Sequence, residues 1–315
     1  MEIDPHAARL LRMLGAGARQ DVGRIGIEER RRSFDGLTRF AGQAPSMIMS
    51  GRTLPGPGGP LDLRFYRPES ADGQPCAALV YFHGGGLVAG SLDGYDVLMR
   101  ILAHEARCVM IGVDYRLAPE HPCPAAIEDA LAAIRHVFDH AASLGIDSDR
   151  IAIGGDSGGG TLTAVATQRL RGEPTYQARC QLLLCPVLDF AADWPSRSSF
   201  AQGYLLDRGL MERDLEDYAP HRSRHDPLIS PLQAVDLSGL PAALIHTAGF
   251  DPLRDEGEAY ARRLEAEGTR VHHTCHDSMV HHFYGLAGMI PAARAILAHV
   301  GAELSRSLER DPVKA

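Results

Sequence analysis

Lysine is almost absent from this sequence: the 315 residues include a single one, Lys314, beside the C-terminus. Schiff-base chemistry needs a placed lysine amine. The phosphate-binding Walker-A loop and the Ser-x-x-Lys nucleophile of β-lactamases also need a lysine at a fixed position of their motifs. The sequence therefore excludes all three kinds of site.

A surplus of positive charge is lacking as well. Asp and Glu outnumber Lys and Arg by 40 to 32, which gives a formal net charge of -8. A nucleic-acid-binding protein would show a basic patch or stripe instead. No run approaches the ~18 apolar residues of a membrane-spanning helix, and residues 1–6 lack the basic start of a secretory signal. We expect a cytoplasmic protein with no nucleic-acid partner and no stable membrane insertion.

Cysteine pairs of the C-x-x-C type are missing, although the chain has six cysteines. Most of these lie in apolar, strand-like runs, where a free cysteine behaves as a small hydrophobic residue. The sequence predicts buried free thiols rather than a disulfide scaffold.

What the sequence does contain is an alternation of strand-like and helix-like segments. Mostly apolar runs, which predict buried strands, occupy residues 77–82, 108–113, 150–154, 181–187 and 242–247. Helical spacing of apolar residues occurs at 95–106, 125–142, 161–170, 256–267 and 292–308. This alternation predicts an α/β fold with a mostly parallel sheet and helices on both faces.

Three segments depart from the alternation. Residues 1–50 are rich in arginine and predict helices. Residues 51–60 carry four glycines and three prolines, which predicts a loop. Residues 190–231 carry four prolines, many charges and one plausible helix at 211–218. An irregular segment of that length is usually functional, for example as a lid.

The motif G-x-S-x-G occurs at residues 155–159, with Ser157 at its centre. The motif alone is weak evidence in a chain with 33 glycines. Here, however, a predicted strand leads into it and a helix follows, so Ser157 would stand on a sharp turn that tolerates only small neighbours. The N-terminus of that helix would also favour negative charge. Ser157 is the candidate nucleophile; the alternative is a glycine-rich turn or phosphate loop with an incidental serine.

A second glycine-rich run, His-Gly-Gly-Gly at 83–86, follows the predicted strand 77–82. Consecutive glycines let backbone N–H groups point into a cleft, as an oxyanion hole requires. The N–H group of Gly158, directly after the nucleophile, would add a donor. Residues 84–89 also fit a dinucleotide-binding fingerprint, but residues 90–94 break the helix that such a site needs.

The candidate acid and base come late in the chain. Asp251 follows the fifth apolar run, at the edge of the sheet where ligands bind in open α/β folds. Its competitor, Asp255, lies four residues later, where the next predicted helix begins, and an N-cap role explains it well. His281 and His282 follow the last strand, where a loop should form. Nucleophile, acid and histidine then occur in the order of the α/β-hydrolases.

Four metal-ligating residues share the predicted last strand: His272, His273, Cys275 and His276. A metal cluster is conceivable there, but their spacing matches no standard site. We therefore expect no metal and no organic cofactor.

The sequence resembles the hormone-sensitive-lipase-like branch of the α/β-hydrolases, also called bacterial family IV esterases. The matching runs extend over about two-thirds of the chain in the right order, which makes the resemblance specific. They lie at residues 83–86, 114–122, 124–129, 155–160, 251–261 and 281–283.

This resemblance implies roles for particular residues. Ser157 would be the nucleophile, Asp251 the orienting acid and His281 the base, and the oxyanion donors would be Gly85, Gly86 and Gly158. The resemblance also implies a cap over a hydrolase core. The cap would comprise residues 1–50 and 190–230, and the core residues 51–189 and 231–315.

Three departures from the family pattern are visible. Gly158 stands where the family usually has alanine, and Leu87 stands where it often has an aromatic residue. His282 occupies the middle of the usual His-Gly-Phe run.

Taken together, these features predict a serine carboxylesterase that acts through an acyl-enzyme intermediate. The resemblance implies that its substrates are small-molecule esters of short to medium chain length. Many members of this family dimerise, so the resemblance also implies a homodimer. An amidase, a deacetylase or a lipase of the same fold stays open. A ligand receptor without turnover is the non-enzymatic alternative. Plant gibberellin receptors look like this family but have lost the catalytic histidine.

Overall fold

The computed structural model describes residues 2–15, 25–69 and 75–310. Residues 16–24 of the predicted cap and Lys314 lie outside this part of the chain. Its strands are β1 (Ile48–Gly56), β2 (Gly59–Arg67), β3 (Cys76–Phe82), β4 (Val109–Val113), β5 (Ile146–Asp156), β6 (Cys180–Leu184), β7 (Ala242–Phe250) and β8 (Val271–Val280). Its helices are α1 (Pro5–Met13), α2 (Ile27–Asp35), α3 (Asp96–Ala106), α4 (Ala125–Asp139), α5 (Gly158–Leu170), α6 (Pro195–Ser199), α7 (Arg208–Tyr218), α8 (Arg254–Ala266) and α9 (Pro291–Ser307).

All eight strands form one sheet, in the order β1-β2-β4-β3-β5-β6-β7-β8. The pairs β1–β2 and β2–β4 are antiparallel, and every other pair is parallel. This confirms the predicted α/β class. Because ligands bind at the carboxyl edge of parallel strands, the residues that follow β3, β5, β7 and β8 are brought to one edge.

Helices cover both faces of this sheet because its strands are apolar on both sides. In β3, Leu79 packs in a cluster with α3 and with Leu297 of α9, whereas Val80 packs in a second cluster with α4 and with Leu162 of α5. Successive side chains of a strand point to opposite faces. The unbroken apolar runs therefore fill two layers of core at once. No helix in the described ranges is long and apolar enough to span a bilayer.

The prediction of a loop at residues 51–60 is wrong. Residues up to Gly56 belong to β1, which pairs with β2 in a hairpin closed at Gly59. Pro55 lies opposite Pro60 in this hairpin, and β4 pairs with β2 only from Leu63 onward. Proline is tolerated in edge strands, where no neighbour needs its missing N–H group. The glycines and prolines thus mark an edge hairpin.

The segment 190–231 contains two helices, not the single one predicted. Besides α7, the five-residue helix α6 begins with Pro195 at its first position. Its buried side chains are Ser196 and Arg197, and the Arg197 guanidinium pairs with buried Glu256 of α8 at 2.7 Å. A helix held by polar contacts has no apolar periodicity, so the pattern of apolar residues could not reveal it.

Candidate active site

Ser157 occupies a one-residue turn between β5 and α5. Its backbone angles are φ 51° and ψ -118°, a conformation that non-glycine residues rarely adopt. The flanking glycines permit the turn, because a Cβ at Gly155 or Gly159 would collide with the backbone of Phe82. The turn leaves the Ser157 side chain lining a cavity at the carboxyl edge of the sheet.

The structure brings Ser157, His281 and Asp251 together in one hydrogen-bonded chain. The His281 Nε2 atom lies 3.1 Å from the Ser157 Oγ atom, and its Nδ1 atom lies 2.8 Å from Asp251 Oδ2. The other carboxylate oxygen of Asp251 accepts the N–H group of Leu253 at 2.8 Å. All three members are buried. Asp251 can therefore fix the orientation of an imidazole whose other nitrogen faces the serine hydroxyl group.

Asp255, the competing acid, does not join this chain. It lies inside the first turn of α8 rather than at its N-cap, which corrects the capping role considered for it. Its carboxylate accepts the N–H group of Ser196 at 2.8 Å and pairs with Arg254. Asp255 thus anchors α6 to α8.

His282, the competing histidine, makes no hydrogen bond to Ser157 or Asp251 in the described structure. Its backbone has φ 58°, a left-handed conformation that glycine adopts most easily. This conformation explains why the family usually has glycine at this position. The ring packs against Phe34 and Tyr95. Burial lowers the pKa of His282 to about 3, with a further contribution from neighbouring His281. His282 is therefore a neutral packing residue.

Gly85 and Gly86 lie in the turn after β3, with φ values of 109° and 65°. These conformations suit glycine and strain other residues. Both glycines line the same cavity as Ser157 and Gly158. Within the described residues, no acceptor takes the backbone N–H group of Gly85 or Gly86. These donors are therefore available to a ligand.

A buried carboxylate, Asp156, connects this loop with the turn at Ser157. The hydroxyl groups of Tyr81 and Tyr95 each donate a hydrogen bond to it at 2.8 Å. The Tyr95 hydroxyl group also accepts the N–H group of Gly84 at 3.0 Å. Burial raises the pKa of Asp156 to about 6, although the two hydroxyl groups lower it. Asp156 thus links the glycine loop on one side of the cavity to the Ser157 turn on the other side.

Gly158 lies in close contact with the glycine loop. A Cβ atom at this position would lie 3.0 Å from Cγ and 3.1 Å from the backbone N of Leu87. Leu87 itself has φ 65° and is buried, so it has little room to retreat. The close approach of Leu87 accounts for glycine where the family usually has alanine.

Replacing Gly158 by alanine is expected to lower kcat/KM for p-nitrophenyl butyrate by about 3- to 10-fold without lowering Tm. The added Cβ would move the loop by a few tenths of an ångström, and a misplacement of about 1 Å can cost 10²-fold in rate. Alanine also favours a helix over glycine by up to ~1 kcal/mol. Steady-state kinetics and thermal melts measure the two effects.

The matched control is Gly209→Ala in α7, where an added Cβ meets no atom within 4 Å. We expect that variant to keep wild-type kcat/KM. Equal kinetics in wild type and Gly158→Ala would show that the loop tolerates the methyl group.

The cavity above Ser157 has a volume of ≈ 310 Å³. Helices α2 and α7 supply part of its wall. Most lining side chains are apolar, among them Phe34, Val187, Leu206, Met211 and Leu215. Such a cavity favours an uncharged organic ligand.

An ion cluster joins α2 to α7 at the rim of the cavity. Buried Arg30 of α2 pairs with both Asp214 and Asp217 of α7. Asp214 lies directly against Gly86, so that a Cβ on this glycine would collide with its carboxylate. Burial raises the pKa of Asp214 to about 8, against the lowering effect of Arg30. The cluster therefore fixes both helices over the glycine loop.

The structure places His272, His273, Cys275 and His276 on β8, as predicted. In the described ranges, however, the one group of three with ligand atoms all within 4.8 Å of one another is Cys185, Asp251 and His281. The hydrogen bond between Asp251 and His281 already accounts for that closeness.

Sequence reasoning missed the tyrosines around Asp156. The carboxylate occupies the variable position of G-x-S-x-G, which the motif treats as open. Tyr81 lies in β3, and Tyr95 directly precedes α3. At both positions an aromatic residue is explained by packing alone. Their convergence depends on the parallel pairing of β3 with β5, which no local pattern contains.

Comparison with known proteins agrees with the fold described above. Residues 79–285 match the family described as alpha/beta hydrolase fold.

The chain belongs to this family.

It is 41% identical over 269 residues to the carboxylic ester hydrolase LipN of Mycobacterium tuberculosis, covering 81% of this chain and 70% of the relative. It is 36% identical to the ethyl acetate hydrolase of Pseudomonas putida, covering 98% of this chain and 100% of the relative. The solved structure of the hyperthermophilic esterase of Pyrobaculum calidifontis superposes with a TM-score of 0.91 at 35% identity, covering 97% of this chain and 99% of that one.

The predicted membership of the hormone-sensitive-lipase-like branch is confirmed. The prediction of an ester hydrolase is confirmed at the level of enzyme class.

Proposed function

We propose that this chain is a serine carboxylesterase that hydrolyses short- to medium-chain esters with Ser157, His281 and Asp251 as its catalytic triad. The observation that carries the proposal is the hydrogen-bonded chain from Asp251 through His281 to Ser157, at distances of 2.8 and 3.1 Å. This chain ends in a largely apolar cavity. Nucleophile, base and orienting group in such contact are the signature of covalent acyl transfer.

The first half of the reaction acylates the serine. His281 Nε2 takes the hydroxyl proton as Ser157 Oγ attacks the ester carbonyl carbon. Asp251 holds the Nδ1–H tautomer and stabilises the imidazolium that forms. The tetrahedral intermediate then collapses, His281 returns the proton to the leaving alcohol, and an acyl-serine remains. Water deacylates it in the second half, again with His281 as base.

Backbone N–H groups of Gly85, Gly86 and Gly158 would stabilise the oxyanion. The free donors of the glycine loop and their place in the same cavity as Ser157 support this role. Pre-oriented donors in a site that excludes water lower the barrier strongly, and the loss of one typically costs ~3–4 kcal/mol. The network around Asp156 keeps the loop in place before substrate binds.

Residues 1–50 and 190–230 would form the cap that limits the size of the substrate that can enter the cavity. Within them, α2 and α7 contribute to the wall of the cavity, and the Arg30 cluster joins the two helices. The cavity volume of ≈ 310 Å³ lies at the small end of the range for ligand pockets, ~300–1,000 Å³. This size supports short acyl chains. The homodimer and the cytoplasmic location stay predictions.

A chain-length series tests the proposal. With p-nitrophenyl esters from acetate to palmitate, we expect kcat/KM to be greatest between two and six acyl carbons. By twelve carbons it should fall at least tenfold, because longer chains exceed the cavity. A maximum at long chains with interfacial activation would instead indicate a lipase.

The receptor alternative is tested by the same assay. A receptor would bind one ligand per chain without releasing p-nitrophenol. The hydrogen-bonded His281, which such receptors lack, supports turnover. Anilide analogues of the best ester separate an amidase from an esterase, and we expect the ester to react faster by several orders of magnitude.

A further inference from the structure

Arg31 of α2 is hydrogen-bonded to two different loops. Its Nε atom donates a hydrogen bond to the carbonyl group of Val88 at 2.8 Å, and its Nη2 atom donates one to that of Ala118 at 3.1 Å. Its two Nη atoms also donate to the carboxylate of Glu120 at 2.9 and 2.6 Å. Val88 lies in the turn after β3, and Ala118 and Glu120 lie between β4 and α4. One guanidinium group therefore holds both loops against α2.

The Val88 carbonyl group begins a chain of hydrogen bonds that ends at the cavity. The peptide group of this carbonyl also carries the N–H group of Ala89, which donates to the carbonyl group of Gly85 at 2.9 Å. The Gly85 carbonyl group in turn shares its peptide group with the N–H group of Gly86. A trans peptide group is planar, and its C=O and N–H bonds point in opposite directions. The contact between Arg31 and Val88 is therefore tied to the direction of the Gly86 N–H group.

The free end of this chain is the N–H group of Gly86. No acceptor within the described residues takes this N–H group, and Gly86 lines the same cavity as Ser157. The turn is also held from its other side, because the Leu87 carbonyl group accepts the N–H group of Ala118 at 2.9 Å. The Ala118 carbonyl group is the second backbone acceptor of Arg31. The donor thus has a fixed direction before any ligand binds.

The charge of Arg31 acts along the chain as well. Hydrogen bonds in a chain polarise one another, and a charged donor makes a stronger bond than a neutral one. Val88 is buried and Glu120 is half exposed, so water screens the carboxylate more than it screens the contact with Val88. The hydrogen bond from Arg31 lowers the pKa of Glu120 to about 2, so this ion pair persists over the pH range of an esterase assay. A positive charge at one end of the chain strengthens the donor at the other end.

We propose that Arg31 is a positioning residue for the oxyanion hole, because it orients and polarises the N–H group of Gly86 through two hydrogen-bonded peptide groups. The inference rests on the proposed function, since it takes Gly86 as an oxyanion donor. Arg31 does not line the cavity above Ser157, so it acts on the reaction without touching the substrate. Negative charge on the carbonyl oxygen develops only as the reaction proceeds, and interactions made only then change kcat rather than KM.

The variant Arg31→Met tests the inference, because it removes the guanidinium group and keeps an unbranched apolar side chain. Loss of one oxyanion donor typically lowers kcat by about 10²- to 10³-fold. Here the donor is weakened rather than lost, so we expect kcat for p-nitrophenyl butyrate to fall about 10- to 50-fold with KM within about threefold of wild type. Arg31→Gln should give a similar loss. Arg31→Lys, which keeps a charge without the planar fork, should fall between wild type and Arg31→Met.

Binding of a trifluoromethyl ketone measures the oxyanion hole directly. Attack of Ser157 Oγ on the ketone carbon, with transfer of the hydroxyl proton to His281, forms a hemiketal whose oxygen carries a negative charge. Its Ki should rise in Arg31→Met by the factor by which kcat/KM falls, since such analogues report the binding of the transition state. Partial unfolding would lower the amount of active protein but leave this Ki unchanged.

The matched control is Arg263→Met in α8. Arg263 pairs with Glu267 at 2.8 Å and donates to the carbonyl groups of Leu232 and Val235 at 2.6 and 3.1 Å, so it has the same kinds of partners as Arg31. The side chains of Arg263 and Arg31 are 29% and 22% exposed, and Arg263 does not line the cavity above the serine. We expect wild-type kcat and Ki in this control, with a change in Tm similar to that of Arg31→Met.

Three results would overturn the inference: wild-type kcat in Arg31→Met, a loss of kcat/KM without a matching rise in Ki, or an equal loss of kcat in Arg263→Met. The proposed function is judged separately, by wild-type turnover and by Ser157→Ala. If the wild type hydrolyses the ester and Ser157→Ala does not, an unchanged Arg31→Met rejects this inference alone. A wild type without ester hydrolysis rejects both.

Discussion

Replacing Ser157 by alanine is expected to lower kcat for p-nitrophenyl butyrate by about 10⁴- to 10⁶-fold, with little change in KM. Loss of the nucleophile in a serine hydrolase leaves only the catalysis that comes from the oxyanion hole and from substrate binding. The substitution removes one oxygen atom and keeps the backbone of the turn. Steady-state kinetics with a sensitive fluorogenic ester can follow such a loss.

The control for this variant is Ser33→Ala. Ser33 lies on α2 and lines the same cavity, but it takes no part in the chain from Asp251 to Ser157. We expect it to change kcat/KM by less than about threefold, and both variants should melt near the wild-type temperature. Esterase turnover retained by Ser157→Ala would mean that another group is the nucleophile.

The sequence contained enough information to predict the parallel sheet and the three residues that the structure joins. Strands buried on both faces leave unbroken apolar runs, and the order of those runs decides which loops meet at the carboxyl edge of the sheet. Ser157, Asp251 and His281 follow β5, β7 and β8, so their positions in sequence already implied a common edge. The hydrogen bonds among these three side chains could be identified only from the folded structure.

Features that depend on contacts between distant segments could not be predicted. The Asp156 network needs Tyr81 of β3 and Tyr95 before α3, and neither position is unusual in its own segment. The contacts of Glu303 on α9 with His246 of β7 and His272 of β8 likewise need these elements to pack side by side. The edge hairpin was mistaken for a loop because glycine and proline mark both structures.

The two candidate aspartates differ in their contacts, since Asp251 meets His281 and Asp255 meets Ser196, and this difference leads to a second large effect. Replacing Asp251 by asparagine is expected to lower kcat by about 10⁴-fold. The amide group introduced by Asp251→Asn would donate a hydrogen bond to His281 Nδ1, so that the imidazole proton moves to Nε2. That nitrogen faces Ser157 Oγ at 3.1 Å and could then no longer accept the serine proton. The shape of the side chain is unchanged, and its oxygen can still accept the N–H group of Leu253.

Asp255→Asn is the matched control, because it makes the same chemical change four residues away. Its carboxylate holds Ser196 and Arg254 rather than His281, so kcat should stay within about threefold of wild type while Tm falls slightly. Measuring kcat and Tm for both variants separates an acid that orients the base from one that anchors a helix. A greater loss of kcat in Asp255→Asn than in Asp251→Asn would reverse the assignment. The expected pattern would locate the orienting carboxylate in the loop after β7, where it fixes the tautomer of His281 that the serine requires.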